Sequence, residues 1–129
     1  MNNPKDIQKR SLEYSLRAVK LYEYLQEHRK GAGWILGKQY LRAATSIGAN
    51  VEEAQAGEGR RDFIHKLGIA QKEARESIYW LRVLAESQIV PKQRIESLMR
   101  ETEELLNVLT SIILNTKLRG ATRKSGDNS

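Results

Sequence analysis

At 129 residues the chain is long enough for one domain with its own core. It has no cysteine, which gives no basis for a disulfide framework or a zinc site, and no run near the ~20 apolar residues that would span a bilayer. The formal charge is +6 with a pI of about 9.7, shared evenly between a body of +3 (residues 1–116) and a short carboxyl-terminal segment of +3 (residues 117–129). Such a balance fits contact with nucleic acid, and many proteins with other tasks share it.

The opening "MNNPKDIQKR" is not followed by a long apolar run, so no secretory signal is read and the cytoplasm is the expected compartment. Helical periodicity then dominates. A first helix is expected from about Pro4 to Arg29. Asn3 fits the N-cap, Pro4 the first position and Asp6 the positive end of the dipole, while His28, Arg29 and Lys30 suit the negative end. Gly31 suits the stop. A second helix begins near Trp34, after "GAG", and ends near Gln55, where "AGEG" breaks the chain. A third runs from about Arg60 to Ser87. Pro91 opens a fourth that continues to about Lys117, and "GATRKSGDNS" reads as a disordered basic tail, residues 119–129. Four helices of similar length joined by short connections predict an all-α, up-down-up-down antiparallel four-helix bundle in a single domain, residues 1–118.

At about 100° per residue each helix shows a core stripe. In the first it is Ile7, Tyr14, Ala18, Leu21 and Leu25. In the second it is Leu36, Tyr40, Ala43, Ile47, Val51 and Ala54. The third gives Phe63, Leu67, Ala70, Ala74, Ile78 and Leu81, and the fourth Ile95, Leu98, Leu105, Leu109 and Ile112. Two helices carry a further apolar face. Leu12, Leu16 and Val19 lie opposite Leu21, and Ile69, Trp80 and Val83 lie opposite Leu67. Scattered surface apolars are common, but two clusters, one with a Trp, predict a subunit interface and hence a homo-oligomer.

The third helix also carries a basic stripe. Arg61, Lys72, Arg75 and Arg82 fall within about 80° of arc, with Gly68 and Tyr79 among them. Such groups neutralise phosphates, and an exposed Tyr stacks on an unpaired base. The plainer reading is a solvated face with ion pairs, since Glu76 adjoins Arg75 and Glu86 follows Arg82 by one helical turn.

Two histidines, His28 and His65, are too few for a di-metal carboxylate bundle, and no metal or other cofactor is expected. Neither a Gly-x-Ser-x-Gly elbow nor a phosphate loop is present, and "GAGWILG" lacks the preceding strand and following Lys-Ser/Thr of such a loop. Ser46 with Glu53 offers no more acid–base chemistry than any helical protein does. No enzyme is expected.

The stretch "SIGANVEEAQ" (residues 46–55) reads as a packing segment. Ile47, Val51 and Ala54 face the core, Asn50 sits at its edge, and Arg42, Ser46 and Glu53 line the flank. Ala43, Gly48 and Ala49 are small enough for a neighbouring helix to come close. Asn50 is expected to be a buried polar group fixing register, with Glu53 as its partner.

Residues 39–84, "QYLRAATSIGANVEEAQAGEGRRDFIHKLGIAQKEARESIYWLRVL", resemble the four-helix-bundle proteins of the 23S rRNA intervening-sequence family. The resemblance rests on Arg42, Ala43, Ser46, Ile47, Asn50 and Glu53. It extends through Asp62 and Phe63, then Lys72, Glu73, Ala74 and Glu76, to Tyr79, Trp80 and Leu81. That family in turn is similar to the accessory variability protein of diversity-generating retroelements. The resemblance implies a homopentameric ring with a basic surface, RNA or DNA binding, and a reverse transcriptase or other protein as partner. The expected function is therefore a non-enzymatic, oligomeric bundle that binds nucleic acid through Arg61, Lys66, Lys72, Arg75, Tyr79 and Arg82, supported by Lys117, Arg119, Arg123 and Lys124. The alternative is a protein-interaction scaffold or accessory subunit.

Overall fold

The computed structural model of the chain describes residues 4–28 and 30–127, with side chains placed for 6–28 and 30–121. Four helices follow one another: α1 (Pro4–His28), α2 (Ala32–Ala56), α3 (Gly59–Glu86) and α4 (Lys92–Asp127). Each packs against its chain neighbour, and α4 returns to α1. Among the described residues the diagonal pairs make no close backbone approach. This is the cyclic arrangement of an up-down-up-down antiparallel bundle. Among the described residues no helix is long and apolar enough to cross a membrane.

The turns explain the boundaries. Gly31 takes φ 84°, a left-handed conformation that glycine adopts without Cβ strain, and its carbonyl accepts the Ile35 N–H at 3.0 Å to start α2. Gly57 admits the Asp62 carboxylate so closely that an added Cβ would overlap it. That places an acid in the first turn of α3, the favourable end of its dipole. α3 ends through Ser87 and Gln88, whose N–H groups donate to Val83 and Ala85 carbonyls at 3.0 and 3.1 Å. The proposed N-cap Asn3 and the helix-ending Arg29 lie outside the described residues.

One boundary is corrected. α4 does not stop at Lys117 but continues to Asp127, through the segment whose composition suggests disorder. Lys117, Leu118, Arg119 and Ala121 are good helix formers with no proline among them. Gly120 does not end the helix, and the Arg60 side chain packs 3.1 Å from where its Cβ would stand.

The core is continuous across all four helices. All five expected positions of α1 and all five of α4 are buried. Each fully buried Leu or Ile contributes about 1.5–3 kcal/mol. Leu36, Phe63 and Ile78 are only half-buried. At α3 the fully buried neighbour of Ile78 is the polar Ser77, whose hydroxyl donates to the Glu73 carbonyl at 2.9 Å. Thr102 and Thr116 are buried by the same device, donating at 2.7 Å to the carbonyls of Leu98 and Ile112. A hydroxyl bonded to the carbonyl one turn back leaves no unsatisfied donor, which is why these polar residues are tolerated inside.

α1 and α4 approach each other least of the four adjacent pairs, and polar groups bridge the gap. Arg10 forks onto Glu101 through Nη2 (3.0 Å) and Nε (3.3 Å). Tyr14 reaches Thr102 at 2.6 Å. Arg17 donates to Ser97 at 2.9 Å.

Candidate nucleic-acid interface

The side chains of Arg61, Lys72, Arg75, Tyr79 and Arg82 all stand exposed on α3. They recur in phase with the helix, so they form one stripe about 30 Å long. Arg82 is bonded to Glu86 at 3.0 Å, both groups about two-thirds exposed. A pair so well hydrated holds little energy, so Glu86 balances the Arg82 charge without fixing the side chain firmly. The other expected pair does not form. Glu76, adjacent to Arg75 in sequence, turns toward α2 and accepts from Arg42. Among the described residues no carboxylate pairs with Arg61, Lys72 or Arg75.

Tyr79 is 58% exposed and its ring sits edge-on to Trp80 at 5.1 Å. A shallow cleft of about 350 Å³ opens beside it, lined by Tyr79, Arg82, Val83, Glu86 and Ser87. At the other end of the stripe, Arg60, Arg61, Ile64, Lys117, Gly120 and Ala121 line a cleft of about 540 Å³. The stripe thus links two concave sites, one with an exposed aromatic face and one with three cations.

Two expected contributors stand apart. Lys66 is half-buried and lies about 140° round the axis from Arg61, so it is not part of the stripe. Arg119 turns back along α4 to Thr116 at 3.5 Å. Lys117 joins the stripe through the Arg61 cleft, and the side chains of Arg123 and Lys124 lie outside the described residues.

Behind the stripe lies a polar seam that spacing along one helix does not reveal. Arg42 of α2 meets Glu76 and, at 3.5 Å, Glu73 of α3; Trp80 Nε1 donates to the same Glu76 oxygen at 3.2 Å. The Arg42 guanidinium holds the Glu76 carboxyl below its ordinary pKa, while burial pushes that of Glu73 up. One Glu73 oxygen is buried without a hydrogen-bond partner. The signal for this seam was in the hairpin: Arg42 precedes Gly57 by as many residues as Glu73 follows Glu58, so antiparallel helices bring them level.

The expected Asn50 device is corrected. Asn50 is half-buried and donates to the Ser46 carbonyl of its own helix at 2.8 Å, while Glu53 is exposed. Among the described residues the Asn50 amide makes no hydrogen bond to another helix, so Glu53 is not its partner and the expected register contact is not formed. Gly48 does meet a neighbour closely, at Ser15 Oγ and the Ser11 carbonyl of α1.

Of the two expected interface patches, one is open. Leu12, Leu16 and Val19 are 59, 58 and 39% exposed. Ile69, Trp80 and Val83 are half-buried within the chain itself, and Trp80 packs against the core. Ile35, Leu114 and Leu118 are further exposed apolar groups.

Residues 4–111 match the family model described as 23S rRNA-intervening sequence protein. A 1.70 Å crystal structure of a protein of unknown function from the S23 ribosomal protein family of Bacteroides thetaiotaomicron VPI-5482 is similar, with a TM-score of 0.82 and 40% identity. The similarity covers 88% of this chain and 98% of that one. No curated protein matches significantly.

Proposed function

Because the chain belongs to the 23S rRNA-intervening sequence protein family, a family identity that does not by itself specify a biochemical act, we propose from its surface that it is a non-enzymatic bundle binding nucleic acid along α3. The observation that carries this reading is the exposed row of Arg61, Lys72 and Arg75, free of carboxylate partners among the described residues and continued by an exposed Tyr79. Cations without internal partners release counterions when they meet phosphates. An aromatic ring beside a cleft gives a base a surface to stack on. Contacts of this kind read charge and shape, so binding is broad in sequence and steep in salt.

The proposal includes assembly in the cytoplasm into a homo-oligomeric ring. The open Leu12–Leu16–Val19 face supports self-association, and the number five rests on resemblance. The same face supports the second reading, in which the bundle is a scaffold for another protein such as a reverse transcriptase. Filter binding to a structured RNA across a salt series, with light scattering on the same samples, tests the proposal. Affinity falling steeply with salt is expected from a particle larger than a monomer. Absent or salt-independent RNA binding removes the nucleic-acid reading and leaves the scaffold.

A further inference from the structure

The cleft between α1 and α4 lies on another side of the bundle, about 120° round α1 from the Leu12–Leu16–Val19 face. It encloses about 340 Å³, with Leu21, Tyr24 and Leu98 as walls and Arg17, Lys20 and Arg94 at its edges. It exists because α1 and α4 approach each other less closely than the other adjacent helices do. Lys20 is shared with Glu23 at 3.6 Å. The two arginines differ from it. Arg17 is fixed by the Ser97 hydroxyl at 2.9 Å, and the Arg94 guanidinium lies 4.1 Å over the Tyr24 ring. Both partners are neutral. They orient the guanidinium groups and neutralise neither, and among the described residues no carboxylate pairs with either arginine.

We infer that this cleft is a phosphate site, in which Arg17 and Arg94 take the phosphate of a nucleotide whose base lays its ring face against the wall at Leu21 and Leu98. Guanidinium donors held in place lose less side-chain entropy on binding than free ones, and their planar fork matches phosphate oxygens. The volume is at the small end of ligand sites, the scale of a single nucleotide unit. That unit comes either from a free nucleotide or from a strand that also engages α3. The second source rests on the proposed function and the first does not.

The test uses the full chain, with adenosine monophosphate and single-stranded RNA as separate probes by calorimetry and fluorescence anisotropy. The variants are Arg17→Ala, Arg94→Ala and their double. Arg100→Ala removes an equal charge from exposed α4 outside the cleft, and circular dichroism checks that each variant keeps its helicity. If the source is a free nucleotide, the monophosphate binds the parent and weakens about tenfold in each cleft variant, with Arg100→Ala unchanged. If the source is a strand, RNA affinity falls in the cleft variants and the double variant lowers the salt slope by about 1.4. The inference is overturned if neither probe distinguishes the cleft variants from Arg100→Ala. Parallel Arg61→Ala and Arg75→Ala proteins separate the two proposals: RNA loss there alone, with monophosphate binding indifferent to the cleft variants, keeps the α3 reading and rejects the cleft.

Discussion

The Tyr40 hydroxyl lies 2.8 Å from that of Tyr14, with both rings fully buried and edge-on at 6.4 Å. The bond is one step in a directed chain. Thr102 donates to the Leu98 carbonyl, so Tyr14 must donate to Thr102, and Tyr40 to Tyr14. Three hydroxyls on α2, α1 and α4 thus drain into one backbone acceptor. Burial raises the pKa of both phenols, so they stay neutral donors.

Direction makes the two tyrosines unequal. Tyr40→Phe removes only the outermost donor and is expected to cost about 0.5–1.5 kcal/mol. Tyr14→Phe also strands the Tyr40 hydroxyl without an acceptor and adds about 1–3 kcal/mol. Urea unfolding of the two variants checks the order, and a larger loss in Tyr40→Phe contradicts it.

The Arg42 seam predicts opposite pH behaviour for neighbouring carboxylates. Arg42 holds the folded Glu76 pKa below its ordinary value, so that contribution is complete above the ordinary range and is lost as pH falls through the folded value. Glu76→Gln is therefore expected to destabilise at pH 7, by no more than about 1 kcal/mol because Arg42 is half exposed, and to match the parent in strong acid. Burial raises the folded Glu73 pKa, so its charge costs stability above that value and nothing below the ordinary one. Glu73→Gln is expected to gain stability at pH 7 and lose the gain in acid. Thermal unfolding against pH distinguishes the two.

Two glycines inside helices should respond differently to alanine. At Gly68 nothing lies within 4 Å of an added Cβ, so Gly68→Ala is expected to gain about 0.5–1 kcal/mol of helix propensity. At Gly48 the Cβ would press on Ser15 Oγ at 3.2 Å and the Ser11 carbonyl at 3.4 Å. Gly48→Ala should gain less than Gly68→Ala, because the Ser15 hydroxyl must shift by a few tenths of an ångström against its bond to the Ser11 carbonyl. Equal gains in denaturant midpoint would show that the α1–α2 contact is not tight.

Gln88 takes φ 63° at the end of α3. A side chain in this region costs about 1–2 kcal/mol that glycine avoids, less the extra freedom glycine has when unfolded. Gln88→Gly is expected to stabilise by about 0.5–1 kcal/mol in thermal unfolding.

Periodicity revealed much of this molecule because four amphipathic helices bury one stripe each, and Tyr14, Tyr40, Leu67 and Leu105 all fall where a 100° step puts them. It did not reveal the cross-helix polar groups. Arg42 with Glu76, Tyr14 with Thr102 and Arg94 with Tyr24 depend on axial register between helices, which spacing along one helix does not contain. Spacing along one helix did contain the roughly 140° that separates Lys66 from Arg61 and the one-turn step from Asn50 to Ser46. It paired Glu76 with Arg75 when the hairpin gives it to Arg42, and that reassignment leaves Arg75 exposed on the stripe without the expected carboxylate partner.

The most direct test of nucleic-acid binding along α3 is the salt dependence of RNA affinity for a protein carrying Arg61→Ala, Lys72→Ala and Arg75→Ala together. Each lost phosphate contact lowers the slope of log affinity against log salt by about 0.7–0.9. The account predicts weaker binding at every salt concentration and a slope reduced by about 2–3, with the helical content of the protein intact. Parent-like affinity and slope in that variant would contradict it.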